Sequence, residues 1–359
     1  MSNIAQQIQG AGVSIWLDDL SRERLINGSL RDLIEKKVIR GVTTNPSIFN
    51  NAISNSDLYV SNIKTISDKS VDEIISTLTC DDVSKACDLF SDLYKESKGQ
   101  DGRVSIEVDP RFARDTKATI DQGALLWQEI NKPNLLIKVP ATKEGLPAIS
   151  ALIGMGISVN VTLIFSLARY REVLDAYAAG LEIASDAGLD LSKIFSVASF
   201  FISRIDTEVD KLLPSDSPLR GTTAIANAIL AYQYFSEFTL SPRWRSLQNN
   251  GANLQRPLWA STGVKDPAYD PTRYVMQLIA PNCVNTMPET TLNQVLQNGL
   301  FVGDTISTNY QNAKSIMAKI ALFGIDLEKI TNFLEIDGVS KFEASWFELI
   351  ESVRVIAGR

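Results

Sequence analysis

Apolar residues along this chain follow two alternating spacings. Short, almost wholly apolar runs are typical of strands that are buried on both faces. Between them lie segments whose apolar residues recur every three or four positions, as on one face of a helix. The predicted strands cover residues 13–18, 41–46, 103–110, 134–140, 157–165, 194–201, 256–262 and 283–288. Helical spacing covers residues 30–37, 53–98, 115–130, 144–153, 166–187, 203–213, 222–238, 307–322 and 327–356.

This alternation, with no linker or low-complexity break, predicts an α/β fold of the (β/α)8 TIM-barrel type. We expect residues 1–359 to form a single barrel domain, with its strands between about 13 and 288 and additional C-terminal helices between about 307 and 356. An open doubly wound sheet is the alternative. The Gly-x-Gly-x-x-Gly turn of nucleotide-binding sheets, however, does not follow the first strand.

Composition narrows the range of partners and compartments. Hydrophobic residues make up 45% of the chain and the net charge is −7, which describes an ordinary globular protein and argues against nucleic acid or an anionic membrane as a general partner. The N-terminal residues lack the pattern of a secretory signal, and no apolar run is long enough to span a membrane. The three cysteines fit no zinc or redox spacing. We therefore expect a cytoplasmic protein.

The chain contains no histidine. A Ser-His or Cys-His nucleophile is therefore excluded, and the commonest catalytic zinc ligand is missing. Acid–base chemistry would have to use carboxylates, lysine, tyrosine, or water held by hydroxyl groups.

Lys138 interrupts the fourth apolar run, Leu135-Leu-Ile-Lys-Val-Pro140. A lysine in a buried strand must be paired, extend to water, or carry a lowered pKa, because burial disfavours its charged form. One interpretation is a nucleophile that forms a Schiff base with a carbonyl substrate. The other is a lysine near a strand end whose ammonium group reaches solvent.

Polar residues also occur at the carboxyl ends of the other predicted strands, where barrel enzymes bind their substrates. Each has a structural alternative, since Asp18 or Asn45 could cap a helix and threonine is common in strands. Several of them interrupt apolar runs, where unpaired polar groups are costly, and a shared cluster in the barrel mouth would satisfy them. The set is Asp18, Asn45, Glu107, Lys138, Asn160, Thr162, Ser199 and Ser261.

Such a cluster has the parts for imine chemistry on a keto sugar. Lys138 would attack the carbonyl group, and Glu107 with a water held by Thr162 would transfer the protons for dehydration. Asp18 would remove the hydroxyl proton whose loss drives carbon–carbon cleavage. Asp19 is adjacent, and alternation along the strand directs only one of the two into the barrel; we favour Asp18.

Other residues would hold the sugar and its phosphate group. Asn45 and Asn160 can contact substrate hydroxyl groups. Arg204 follows the sixth strand and Lys265 the seventh, and both could bind a phosphate, with helix N-termini there adding backbone donors. The alternative for each is a solvent-facing charge.

Four motifs, in order, resemble those of the transaldolase family, in particular its longer bacterial type. They are Gly41-Val-Thr-Thr-Asn-Pro-Ser47, Val104-Ser-Ile-Glu-Val-Asp109, Ile137-Lys-Val-Pro-Ala-Thr142 and Val159-Asn-Val-Thr-Leu-Ile-Phe-Ser166, and the opening Ser14-Ile-Trp-Leu-Asp-Asp-Leu-Ser-Arg-Glu23 is similar as well. The resemblance runs from about residue 13 to residue 288. It implies a (β/α)8 barrel without metal or organic cofactor, acting on sugar phosphates in the pentose phosphate pathway. It further implies transfer of a dihydroxyacetone unit from sedoheptulose 7-phosphate to glyceraldehyde 3-phosphate, which gives erythrose 4-phosphate and fructose 6-phosphate.

The resemblance also implies residue roles. Lys138 looks like the nucleophile and Asp18 like the acid/base, while Glu107 and Thr162 would hold the catalytic water. Asn45 and Asn160 would contact the dihydroxyacetone unit. Ser199 and Arg204 resemble a phosphate-binding Ser-x-Phe-x-x-Arg pattern. The substrate-binding set also includes Ser261 and Lys265.

One position departs from the family pattern. Shorter members carry Ala-Ser-Phe-Arg after the seventh strand, whereas this chain has Ala260-Ser-Thr-Gly263, and Lys265 is the candidate substitute. Ammonium is a point charge without the bidentate fork of a guanidinium group. Alternatives to a transferase are an aldolase that releases free dihydroxyacetone, and a catalytically silent barrel that binds a sugar phosphate or a protein. The sequence also leaves open a homodimer and the role of the aromatic C-terminal helix, which could pack on the barrel or on a partner.

Overall fold

The computed structural model describes residues 4–359, and its centre is a closed barrel of eight parallel strands. Each strand pairs with the next along the chain, and the first pairs with the last. The strands are β1 Val13–Leu17, β2 Gly41–Val42, β3 Arg103–Glu107, β4 Leu135–Pro140, β5 Val159–Ile164, β6 Ser196–Phe201, β7 Gln255–Ala260 and β8 Cys283–Met287. The barrel confirms the predicted (β/α)8 fold.

Helices surround the barrel and extend beyond it at the C-terminus. They are α1 Ile4–Gly10, α2 Arg22–Asn27, α3 Ser29–Glu35, α4 Pro46–Ser54, α5 Val60–Thr65, α6 Val71–Leu89, α7 Ser91–Glu96, α8 Thr116–Ile130, α9 Gly145–Gly154, α10 Leu167–Asp186, α11 Ser203–Val209, α12 Thr223–Thr239, α13 Pro242–Asn249, α14 Arg273–Met276, α15 Glu289–Asn298, α16 Tyr310–Leu322 and α17 Leu327–Ala357. The last two confirm the additional C-terminal helices.

Burial explains why the strands are apolar. Every residue of the eight strands is buried, because one face of each strand points into the barrel and the other is covered by helices. Strand-to-helix turns are fixed by capping side chains. Ser166 accepts a hydrogen bond from the backbone of Arg169, and Asp115 accepts one from Ala118.

Two predicted elements differ most from the structure, while others, such as the strand predicted at 103–110, are shorter than predicted. The predicted strand 41–46 pairs only at Gly41–Val42, because Asn45 already caps α4 and Pro46 occupies the first turn of that helix. The predicted helical segment 53–98 is divided into several helices. One division precedes Ser70, whose hydroxyl and backbone form a reciprocal capping box with Glu73.

A charged network closes the amino-terminal end of the barrel. Asp101 accepts hydrogen bonds from Ser14 at 2.6 Å, from Arg40 at 2.5 Å and from Arg256 at 3.2 Å. Ser14 and Arg256 lie near the starts of β1 and β7, so this network is at the end opposite to the carboxyl ends of the strands. Residues at that end of a barrel generally serve stability.

Among residues 4–359, no helix combines the length and apolar character that crossing a membrane requires.

Candidate active site

Lys138 lies on β4 and its side chain is only 6% exposed. Its Nζ atom donates a hydrogen bond to the backbone carbonyl of Thr44 at 3.0 Å. Glu107 is its register partner on β3, and Glu107 Oε2 lies 3.2 Å from Nζ. The amine is therefore held between a carbonyl group and a carboxyl group, and the interpretation of a lysine that extends to solvent does not fit this burial.

Burial is also the main influence on the pKa of the Glu107 carboxyl group. Loss of hydration raises its pKa to about 7, against the lowering effect of the nearby Lys138 charge. Neither carboxyl oxygen has a hydrogen-bond partner of good geometry in the described part of the chain. Glu107 lines a small cavity of about 50 Å³ together with Asn45 and Asp109, which is large and polar enough for water.

Asp18, directly after β1, faces the barrel mouth. Its Oδ1 accepts a hydrogen bond from Thr43 at 2.6 Å, and the same Thr43 hydroxyl is 2.6 Å from that of Thr286. Burial raises the pKa of Asp18, while Lys138 and the Thr43 hydroxyl lower it. Asp19 points elsewhere and pairs with Arg24 at 2.6 Å. Of the two adjacent carboxylates, it is therefore Asp18 whose side chain faces the site.

Thr162 lies at an irregularity of β5. The pairing of β5 with β6 shifts between Val161 and Ile164, and Leu163 has a positive φ of 59°. Such a bulge re-aims side chains. The Thr162 hydroxyl is buried without a hydrogen-bond partner among the described residues, and it faces the cavity that contains Lys138. Glu107 and Thr162, which were predicted to hold one water together, thus line two different cavities, and Lys138 lines that of Thr162.

The two predicted contacts to the dihydroxyacetone unit, Asn45 and Asn160, and the predicted phosphate contact Ser199 differ in their surroundings. Asn45 lines both cavities, although its side-chain oxygen accepts the capping hydrogen bond from Ile48 at 3.0 Å. Asn160 donates to Ser105 at 3.0 Å and accepts from Ser199 at 2.7 Å. Asn160 is fully buried and is not among the lining residues of the lysine cavity, whereas Ser199 is.

The other candidate phosphate-binding residues line the same cavity. Arg204 is largely buried, and its Nη1 has no hydrogen-bond partner in residues 4–359. Ser261 has a positive φ of 55° and its hydroxyl is 3.1 Å from that of Ser203. Lys265 is exposed and lines the rim. A buried guanidinium group with an open donor is well suited to an anion.

The cavity that joins these groups has a volume of about 160 Å³. Its walls include all of the predicted site residues except Glu107 and Asn160. The sequence analysis missed Thr43, Thr286 and the role of Phe342 in this wall. Thr43 lies within the motif that contains Asn45, so its position in the sequence could have marked it as a site residue. Phe342 lies on α17, and no local sequence pattern indicated that it would reach the barrel mouth.

A buried amine, an adjacent carboxyl group and a polar cavity at the carboxyl ends of parallel strands have the architecture of a (β/α)8-barrel enzyme site. The arrangement suits nucleophilic attack by the amine on a carbonyl group, followed by proton transfer.

Comparison with known proteins gives the family. The family model described as Transaldolase/Fructose-6-phosphate aldolase matches residues 15–353. A protein of Mycobacterium tuberculosis strain H37Rv named Transaldolase is 53% identical over 355 residues, which cover 97% of this chain and 95% of that protein. Transaldolase 2 of Streptomyces avermitilis is 50% identical over 359 residues, with 98% and 96% covered. The chain belongs to the transaldolase family and is an enzyme, a transferase.

Proposed function

We propose that this enzyme transfers a dihydroxyacetone unit from sedoheptulose 7-phosphate to glyceraldehyde 3-phosphate, giving erythrose 4-phosphate and fructose 6-phosphate in the non-oxidative pentose phosphate pathway. The observation that carries the proposal is the buried Lys138 amine, 3.2 Å from the Glu107 carboxyl group. Membership of the family and the name of the relatives support the same reaction. A cytoplasmic location is part of the proposal and agrees with three free, buried cysteines.

The first step is imine formation. The Lys138 amine attacks the keto carbon of the donor, and the resulting carbinolamine loses water. Glu107 is suited to donate the proton to the departing water, because its pKa of about 7 allows both protonation states near neutral pH. The Thr44 carbonyl orients the amine before the attack.

The second step is carbon–carbon cleavage. Asp18 accepts the proton of the hydroxyl group beyond the bond that breaks, an aldehyde leaves, and the three-carbon unit stays on Lys138. Addition to the acceptor aldehyde reverses these events, with Asp18 returning the proton. The hydrogen bond from Thr43 favours the carboxylate form that this role requires.

Substrate binding is assigned to the remaining polar residues of the cavity. Ser199, Arg204, Ser261 and Lys265 would hold the phosphate group of the sugar. Asn45 and Asn160 would hold its hydroxyl groups, with a hydrogen-bond rearrangement at Asn160, whose amide is engaged by Ser105 and Ser199.

Borohydride trapping tests the proposal. Fructose 6-phosphate is added with borohydride, and the reduced adduct is located by peptide mass mapping. We expect an adduct of dihydroxyacetone size on Lys138, absent from Lys138→Ala. Lys143→Ala removes an exposed lysine from the following loop and is the matched control, which should retain the adduct.

Two other outcomes have different meanings. An adduct together with release of free dihydroxyacetone, and no increase of turnover with an acceptor aldehyde, would favour the aldolase that the family description also includes. A folded protein without any adduct would remove the Schiff-base mechanism.

A further inference from the structure

Helix α17 lies across the mouth of the barrel and is attached to α4. Ser345 and Ser47 are joined by a hydroxyl contact of 2.7 Å, and Ser54 donates to Ser352 at 2.8 Å two turns further along. The helix also packs against β5, α6 and α11. The C-terminal helix is therefore a part of the barrel mouth, held along its length.

Three residues of α17, spaced four apart, face the site. A methyl group on Gly338 would come within 3.0 Å of Leu163, so the helix backbone lies directly on the irregular part of β5. Phe342 places its ring centroid 5.6 Å from Lys138 Nζ and lines the lysine cavity. Trp346 lines the smaller cavity beside Glu107. One helix thus contributes an aromatic residue to the lysine cavity and another to the cavity beside Glu107.

Phe342 differs from the other phenylalanines of the helix. It is 5% exposed, whereas Phe333 and Phe347 are 53% and 54% exposed. Most of the other residues in the wall of the lysine cavity carry hydroxyl, carboxyl, amide or charged groups, although Phe201, Ala260, Gly263 and Pro288 also line it. The Phe342 ring beside the amine is therefore an apolar cover on a largely polar pocket. Such a cover keeps water from the reacting nitrogen.

We propose that Phe342 determines how the covalent intermediate partitions between transfer to an acceptor aldehyde and release of free dihydroxyacetone. The inference rests on the proposed function, because it concerns the three-carbon unit held on Lys138. The ring covers that unit and excludes water until an aldehyde enters the cavity. Phe342 is therefore a specificity-determining residue on a helix outside the eight β/α units.

The competing reaction is hydrolysis. After cleavage the unit is an enamine of Lys138. Its carbon takes a proton to give the imine, water adds to the imine carbon, and the carbon–nitrogen bond breaks with proton transfer to nitrogen. The products are dihydroxyacetone and the free lysine amine. In productive transfer, the same enamine carbon attacks the acceptor aldehyde instead, so access of water to the imine decides between the two outcomes.

The test compares Phe342→Ala and Phe342→Leu with the unchanged enzyme. Fructose 6-phosphate is the donor; dihydroxyacetone release without acceptor and product formation with erythrose 4-phosphate are both measured. We expect Phe342→Ala to raise the ratio of release to transfer by about tenfold or more, because water reaches the uncovered imine. Leucine should give an intermediate ratio. Phe347→Ala, at an exposed position of the same helix, is the matched control and should leave the ratio unchanged.

The ratio separates a covering role from a merely structural one. Loss of packing alone would lower both rates together and leave the ratio constant, which would overturn the inference while leaving the proposed function intact. If Phe342→Ala does not fold, the ratio of the more conservative Phe342→Leu decides. Failure of the proposed function is recognised separately, since the unchanged enzyme would then form no borohydride adduct on Lys138 and show no transfer.

Discussion

Thr43 donates a hydrogen bond of 2.6 Å to Asp18, and this contact joins the residue after β2 to the residue after β1 at the barrel mouth. Burial raises the pKa of Asp18, and the Thr43 hydroxyl is one of the groups that lower it. The Thr43 hydroxyl group therefore helps the buried Asp18 side chain to be in its carboxylate form.

Replacement of this hydroxyl should shift the acidic limb of the activity profile. In Thr43→Val the pKa of Asp18 rises, so the carboxylate that accepts the substrate proton is lost at a higher pH. We expect the acidic limb of kcat against pH to move upward by about one to two units, since a hydrogen bond to a charged group is worth roughly 1.5–3 kcal/mol.

Two controls isolate the contact. Thr43→Ser retains the hydroxyl and should retain the unchanged profile. Thr286→Val removes the other neighbour of Thr43 without removing the donor to Asp18, and should shift the limb much less. An acidic limb that stays in place in Thr43→Val would mean that Asp18 is not the base.

Glu107→Gln should alter both activity and the pH dependence of stability. We expect kcat to fall by about 10²–10⁴, the range for loss of a general acid–base group. The folded pKa of about 7 lies above the ordinary value of 4.5. The stability that the neutral carboxyl group contributes is therefore complete below pH 4.5 and is lost as the pH rises through 7.

Glutamine resembles the protonated carboxyl group at every pH. The free energy of unfolding of Glu107→Gln relative to the unchanged protein should therefore increase between pH 4.5 and 7, by about 3 kcal/mol, and then level off. Urea unfolding at several pH values measures this difference. Parallel stability curves would show that the Glu107 carboxyl group has an ordinary pKa.

Substitutions at Arg204 and Lys265 should differ in their effect on phosphate binding. Arg204 is partly buried and its Nη1 has no hydrogen-bond partner among residues 4–359, whereas Lys265 is exposed at the rim. We expect Arg204→Ala to raise KM for fructose 6-phosphate by roughly 10–100-fold, because a charge-assisted hydrogen bond to the phosphate group is lost. Lys265→Ala should raise it by less than about fivefold.

Unphosphorylated fructose provides the control for this comparison. If both residues act through the phosphate group, their substitution should leave turnover of fructose nearly unchanged. A larger effect of Lys265→Ala than of Arg204→Ala would assign the main phosphate contact to the loop after β7, as a replacement for the arginine that the family pattern has there.

The eight strands and their polar ends could be predicted because both follow from local rules. An apolar run with one lysine or glutamate marks a buried strand with a polar site, and the carboxyl ends of parallel strands must meet. Thr162 could be suspected as a site residue because it is a polar residue in an apolar run. The bulge that directs its side chain into the cavity, however, depends on how β5 pairs with β6.

Contacts between distant segments of the chain could not be predicted from local sequence patterns. The aromatic residues of α17 predict that the helix packs on the barrel or on a partner. No pattern within residues 327–357 indicates that the helix crosses the barrel mouth and brings Phe342 close to Lys138. The extent of β2 was overestimated because Thr43 and Thr44 favour strands, whereas their side chains bond to Asp18 and to the backbone of Ser105.

Asp101 should affect stability without affecting chemistry, because its network closes the barrel at the end opposite to the site. Asp101→Asn removes the negative charge between Arg40 and Arg256 and leaves two guanidinium groups uncompensated. We expect a loss of about 3–5 kcal/mol in the free energy of unfolding, measured with urea at pH 7, with kcat of the folded enzyme unchanged.

The pH dependence of this loss has a defined sign. Burial raises the pKa of Asp101, but the charges of Arg256 and Arg40 outweigh it, so the folded pKa lies below the ordinary value of 3.8. The stabilisation is therefore present above pH 3.8 and disappears as the pH falls through the folded pKa, where Asp101→Asn and the unchanged protein should converge. Asp92→Asn, which breaks an exposed ion pair with Lys95, is the control and should cost less than about 1 kcal/mol at any pH. A large and pH-independent cost of Asp101→Asn would instead indicate that the hydrogen bond from Ser14, not the two charges, maintains this end of the barrel.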